Sequence, residues 1–473
     1  MESKEYPHQI EELRLAQIMP NRGLLWEMGT GKTKGMIDIL RDKFKDRGML
    51  LKTIIFSPSV TLYNWGNEFE KWSKIPSNQV HPITATGAKR IKDLERAVAS
   101  GGVIIINYEA VQNKRIYELL FQYKPVIVVA DESHLLKNYK SSRAKNVVKI
   151  GDLANYRFIL TGTPILNALT DIFHQFRFLD KGVTFGKNFY VFQDKYMMDA
   201  NKAWANRPGY FPRWVPRKET LDELNEKIYR ICSRVTKEEA LPNLPPLVTI
   251  TKHVKLGVDQ QKAYNQMKTE FITFVKSKSG ESKAVVAQLA LTKALRLQQI
   301  TSGHVVTDEG EVITFKSNPR LAEAQDLLVR LTPEHKVIVW CCFKEDYKAI
   351  GKICRDNSIE HVFLTGEMNL KGKQDAMDKF NNDSTCRTII ANRKAGGIGI
   401  NLVASSYSVV YSRNFSLGDE LQSEARNHRG GSEIHEQITK INLCAKDTID
   451  EVVLDALSGK QKLSDRIIDW VHE

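Results

Sequence analysis

The stretch GLLWEMGTGKTKGMIDIL, residues 23–40, decides the fold. Its apolar start, GLLW, has the length of a buried strand, and its end, KGMIDIL, carries apolar residues at helical spacing. Between them Gly29, Thr30 and Gly31 form a turn that ends at Lys32 and Thr33. A loop that leads into a helix N-terminus presents backbone N–H groups and the positive end of the helix dipole to phosphates. Lys32 then neutralises the β- and γ-phosphates of a nucleotide, and the Thr33 hydroxyl ligates Mg²⁺. The strict form of this loop asks for glycine at position 26, where Trp26 stands.

Working outward, VIVVADESH (126–134) runs an apolar strand into Asp131 and Glu132. Two carboxylates at the C-terminal end of a strand sit where α/β sheets collect their ligands. Asp131 is placed to hold Mg²⁺, and Glu132 to orient or deprotonate an attacking water. TIIFSP (53–58), VIIINYE (103–109) and RFILTGTP (157–164) alternate with helix-like stretches, which means a parallel sheet with crossover helices. A second series follows at 336–343, 360–366, 386–393, 408–414 and 438–444. The fold class is therefore α/β, with two parallel-sheet lobes in tandem. EEALPNLPPLV (238–248) separates the series with three prolines that fit neither a helix interior nor a central strand. The expected division is a first lobe over 1–240, a Pro-rich linker over 241–248 and a second lobe over 249–473.

A chain of 473 residues exceeds what one core usually supports, and 42% hydrophobic with 26% charged residues is ordinary for a globular protein. The formal charge of +13 favours a polyanionic partner such as nucleic acid, or else a solvated basic surface. No apolar run approaches the roughly 18 residues needed to span a bilayer, and the start MESKEYPHQIEEL lacks a signal-peptide core. The expectation is a cytoplasmic protein, not secreted. The six cysteines show neither CxxC pairs nor zinc-ligand spacing, so buried free thiols are expected. KAWANRPGYFPRWVPRK (202–218) interleaves Trp204, Tyr210, Phe211 and Trp214 with arginines. Such a loop either stacks on nucleic acid or packs on its own domain. QSEARNHRGG places Arg426 and Arg429 three apart, on one face of an expected helix, where they can meet charge developing in phosphoryl transfer.

In order, YPHQ, EMGTGKT, IIFSPSVTLYNWGNEFEKW, INYEAV, DESH, LTGTPILN, VIVWCCF, KAGGIGINL and QSEARNHRGG resemble the motif series of superfamily 2 helicase motors, specifically the Swi/Snf-like branch, over about residues 5–455. The resemblance implies two RecA-like lobes with an ATP cleft between them and a compact stand-alone motor of bacterial or viral type. It implies that Gln9 reads adenine, that Gly29 to Thr33 hold phosphates, that Gly397 and Gly399 line the second lobe's nucleotide edge, and that Arg426 and Arg429 are arginine fingers. It gives His134, Thr161 and Thr163 a coupling role, and Ser57, Asn107, Tyr108, Arg393 and Asn401, with Trp214 of the aromatic loop, contacts to nucleic acid. Ser133 stands where alanine is usual, Trp26 replaces an acidic residue, Arg393 a threonine, Ala425 an aspartate and Ser432 a glutamine.

The leading expectation is a DNA-stimulated ATPase, using ATP and Mg²⁺, that translocates on DNA, with duplex favoured by the resemblance alone. A strand-separating or branch-migrating helicase that can use RNA is the second reading, and a non-hydrolysing ATP-gated DNA clamp the third. No membrane partner is expected, and a protein partner that supplies specificity stays open, as does the oligomeric state.

Overall fold

A computed structural model describes residues 5–458 except 60, 166–167, 206–209, 211, 278–282, 308–309 and 394–399. The chain divides into two compact units, Met1–Pro242 and Asn243–Glu473.

The first unit holds β1 (Asn21–Trp26), β2 (Thr53–Ser57), β3 (Val80–Pro82), β4 (Val103–Asn107), β5 (Ile127–Asp131), β6 (Tyr156–Leu160), a small antiparallel pair β7 (Met197–Asp199) and β8 (Trp214–Pro216), and β9 (Cys232–Val235). Seven of these make one parallel sheet in the order β3-β4-β2-β5-β6-β1-β9. Residues of β2, β4 and β5 are buried throughout, as expected of parallel strands covered by helices on both faces. Helix Lys32–Arg47 follows β1 directly, with Gly31 in the left-handed region at its N-cap. The order has one consequence for the site: β6 lies between β1 and β5, so the turn after β6 is the segment that can touch both the phosphate loop and the acidic pair.

The second unit contains β10 (Leu247–Val254), the hairpin β11 (His304–Val306) and β12 (Val312–Thr314), β13 (Val337–Cys341), β14 (His361–Leu364), β15 (Thr388–Asn392), β16 (Tyr407–Val410) and β17 (Ile438–Ala445). Its parallel sheet has the order β10-β17-β16-β13-β15-β14. Alternation along β13 feeds two cores: Val337, Val339 and Cys341 join one cluster, and Ile338 and Trp340 the other. β10 begins at Leu247, inside the stretch expected to be an extended linker, and pairs with β17 over eight residues. Its exposed Thr249, Ile250 and His253 belong to an edge strand, which carries no apolar run for sequence reading to find. Among the described residues no helix is long and apolar enough to cross a membrane.

Candidate active site

The loop after β1 is held in shape before any ligand arrives. Gly29 and Gly31 have φ of 87° and 86°, which a side chain would strain. Thr30 is buried, and its hydroxyl donates to the Glu27 carbonyl at 2.8 Å. Lys32 Nζ folds back and donates to the carbonyls of Trp26 and Glu27 at 2.9 and 3.1 Å. Thr33 stands in the first turn of the helix.

The N-terminal helix Pro7–Ile18 clasps this loop. His8 Nε2 lies 2.9 Å from the Thr30 carbonyl, and Gln9 Nε2 donates to the Gly31 carbonyl at 3.1 Å while Gln9 Oε1 accepts from the Tyr6 amide. Gln9 is thus fixed against the phosphate loop, and a Cβ at Gly31 would sit 2.5 Å from its amide. Trp26 is buried, not idle: its indole donates to Ser233 at 2.8 Å and packs edge-on against His8. Ser233 in turn donates to Glu12, which makes a two-pronged pair with buried Arg22 at 2.8 Å on each prong. Gly35 is the space in which Trp26 lies, since a Cβ there would be 3.1 Å from the indole.

At the end of β5, Asp131 Oδ2 accepts from Ser57 at 2.7 Å and from the Trp65 indole at 2.9 Å. Tyr108 donates its hydroxyl to the Asp131 carbonyl at 2.6 Å. Burial, then the neighbouring Glu132 charge, lifts the Asp131 carboxyl to about 6. An oxygen donor that is costly to ionise alone, beside a second carboxylate, fits a hard divalent cation that removes that cost. Glu132 adopts φ 49° and ψ 52°, a left-handed conformation uncommon for a residue with a side chain, and so turns the chain sharply after Asp131.

The turn after β6 joins the two halves. His134 Nδ1 sits 3.3 Å from Glu132 Oε2 and 3.3 Å from Thr161 Oγ1, and the Thr163 amide donates to that hydroxyl at 3.1 Å. On its other side, Gly162 approaches the phosphate loop so closely that a Cβ would lie 3.1 Å from the Trp26 carbonyl and 3.2 Å from the Met28 amide. Ser133, the departure from alanine, has a partner as well. It donates to Gln175 Oε1 at 2.7 Å, and Gln175 Nε2 donates to the Pro164 carbonyl at 2.6 Å. Trp65 and Gln175 are therefore neighbours of the acidic segment that sequence reading missed. The one sequence signal for Trp65 is its place on the buried stripe Leu62, Trp65 and Phe69 of helix Leu62–Trp72.

Several residues expected to contact nucleic acid are buried in the structure. Ser57, Asn107 and Tyr108 lie inside the first unit, with Ser57 and Tyr108 engaged at Asp131 and Asn107 donating to Glu109 at 3.0 Å. Arg393 is buried as an ion pair with Glu420, and burial followed by the Arg413 charge lowers its guanidinium to about 9. Asn401 is exposed, and Trp214 on β8 is 40% exposed. The aromatic loop packs partly on its own unit: Tyr210 bonds Asp199, and Arg217 Nε donates to the Met197 carbonyl at 3.0 Å. Arg426 and Arg429 do not share a helical face, because helix Leu417–Glu424 stops before them and the chain turns. Arg426 is buried and Arg429 half-buried. Gly397 and Gly399 fall outside the described residues.

Known proteins share this arrangement of sequence. An uncharacterized ATP-dependent helicase of Mycoplasma genitalium, MG018, is 28% identical over 440 residues, which cover 92% of this chain and 39% of that protein. An uncharacterized ATP-dependent helicase of Mycoplasma pneumoniae is 26% identical over 443 residues, again 92% of this chain and 39% of that protein. The chain thus spans about two fifths of the length of these relatives. The solved SWI2/SNF2 ATPase core of Sulfolobus solfataricus in complex with dsDNA matches at 21% identity and a TM-score of 0.44, covering 100% of this chain and 95% of that one. The helicase conserved C-terminal domain matches residues 320–431. The SNF2-related domain matches residues 12–305, from the helix that clasps the phosphate loop to beyond the Pro-rich stretch, and the chain therefore belongs to the SNF2-related family, the Swi/Snf-like branch of superfamily 2.

Proposed function

We propose that the chain is an ATP-driven motor whose hydrolysis is stimulated by DNA and coupled to translocation along the duplex. The observation that carries this reading is the turn Thr161 to Thr163, which touches the phosphate loop through Gly162 and the acidic pair through Thr161 and His134. A change at the phosphates and a change at Glu132 thereby reach the same segment. Such a relay is what a motor needs and what a static binding module has no use for.

In this reading Lys32 leaves the Trp26 and Glu27 carbonyls for the β- and γ-phosphates of ATP. Thr33 and Asp131 would hold a magnesium ion, which would neutralise charge on the phosphates. Glu132 orients the attacking water and takes its proton. Arg426 and Arg429 meet charge developing on the transferred phosphoryl group. Glu132, Arg426 and Arg429 are all present, which favours hydrolysis over an inert clamp. The charge of +13 supports a phosphate backbone as the track.

Steady-state ATP hydrolysis, measured without nucleic acid and with single-stranded DNA, blunt duplex DNA or duplex RNA at two salt concentrations, tests the proposal. Blunt duplex is expected to stimulate most, and less as salt rises. Glu132→Gln is expected to bind ATP and hydrolyse at least about 10³-fold more slowly. Stimulation by single strands or RNA alone moves the strand-separating reading into first place.

A further inference from the structure

The edge of the second sheet, away from the motifs above, gathers three metal-ligating side chains. Parallel pairing of β10 with β17 sets His253 opposite Cys444, so their side chains share one face. Glu451 comes from the helix that follows β17, Ile449–Ser458. Its Oε2 accepts from the Asp447 amide at 3.0 Å, and its Oε1 lies 3.0 Å from His253 Nδ1. The imidazole nitrogen, the Cys444 sulfur and a Glu451 oxygen all lie within 4.8 Å of one another. Cys444 is buried, Glu451 half-buried and His253 exposed, so the cluster is closed behind and open to water in front.

Arg413 is buried, and its Nε and Nη2 have no hydrogen-bond partner among the described residues. Burial pushes the Cys444 thiol up, with the Arg320 and Arg413 charges pulling the other way, so an arriving ion has to displace the thiol proton.

We propose that His253, Cys444 and Glu451 form a zinc site that ties the edge strand β10 to β17 and to the helix after it. One nitrogen, one sulfur and one carboxylate oxygen form a mixed set suited to Zn²⁺, with water in the fourth tetrahedral position. Binding requires the sulfur to close on the other two by roughly an ångström, and the Cys444 proton leaves to solvent as the zinc–sulfur bond forms. β10 is the first strand of the second unit, so the ion would anchor the strand nearest the division between units.

The test uses the full chain, stripped with a chelator, then titrated with Zn²⁺ against a chromophoric competitor and, separately, with Co²⁺. One equivalent of zinc per chain is expected, with a thiolate-to-cobalt charge-transfer band. Cys444→Ser is expected to lose the band, and His253→Gln to weaken zinc at least about tenfold. His253 is exposed, so its variant leaves the core intact and keeps the test decisive if Cys444→Ser fails to fold. Zinc should also slow alkylation of Cys444 in the unaltered chain more than in His253→Gln. Absence of stoichiometric uptake, a band that survives Cys444→Ser, or unaltered affinity in His253→Gln overturns the proposal and leaves an ion pair beside a buried thiol.

Discussion

Asp131 shows how much a single side chain depends on surroundings that its own segment does not reveal. Its carboxyl is raised from 3.8 to about 6 by burial and by Glu132, although bonds from Trp65 and Ser57 pull the other way. For an acid raised on folding, the folded state holds the proton more tightly than the unfolded one. The stability that this confers is complete below pH 4 and is lost as pH rises to about 6. Asp131→Asn keeps the shape without the charge, so it is expected to stabilise the nucleotide-free protein by about 1–3 kcal/mol at pH 7 and by little at pH 4. Denaturant unfolding of both proteins at the two pH values measures this; a gain of equal size at both leaves ionisation out of the explanation. The identities of Lys32, Asp131 and Glu132 were legible in sequence because phosphate and metal chemistry demand those residue types at strand ends. Trp65, Ser57 and Gln175 were not, because each reaches the site from a separate segment and nothing in its local pattern says where it points. The ion pair of Arg393 was equally hidden, since sequence gives the charge but not Glu420 beside it.

Strands with apolar cores were legible as elements, whereas those that depend on a partner were not. In the second series β13, β14 and β15 lie within the runs read for them, β16 and β17 each overrun theirs by one residue, and β5 ends at Asp131. β9 and β10 escaped because each is an edge strand with polar residues facing out. β9 nevertheless shapes β1: a Cβ at Gly23 would lie 2.4 Å from Cys232 Sγ and 3.1 Å from Ile159. Gly23→Ala is therefore expected to cost about 1–3 kcal/mol by overpacking at the root of the phosphate loop. Cys232→Ala in the same chain makes room, and the double variant should lose less than the two single losses added together. Strictly additive losses in urea unfolding place the strain elsewhere. The pair Arg426 and Arg429 marks the opposite failure: spacing suggested a helix, but the helix stops at Glu424, and a three-residue interval means a shared face only inside one.

Two units with separate hydrophobic cores make the molecule divisible, whereas the function proposed above draws residues from both. The phosphate loop, the acidic pair and the relay turn belong to the first unit, while both arginines belong to the second. Residues 1–242 alone are expected to unfold cooperatively and to bind ATP, yet to hydrolyse it at least about 10³-fold more slowly than the whole chain. Turnover at the whole-chain rate by the first unit would remove Arg426 and Arg429 from the mechanism. The tandem plan was readable from two series of apolar runs, because repeated strand-and-helix alternation survives any uncertainty about single residues.

Trp26 and Gly35 carry a consequence of another kind. The indole fills the space that a side chain at 35 would need, and it reaches Ser233 and His8 from there. Neither position can change freely while the other is kept. In descendants of this chain the two should drift together: a lineage that exchanges the tryptophan for a smaller residue releases position 35 from glycine, and one that keeps the tryptophan inherits the glycine with it.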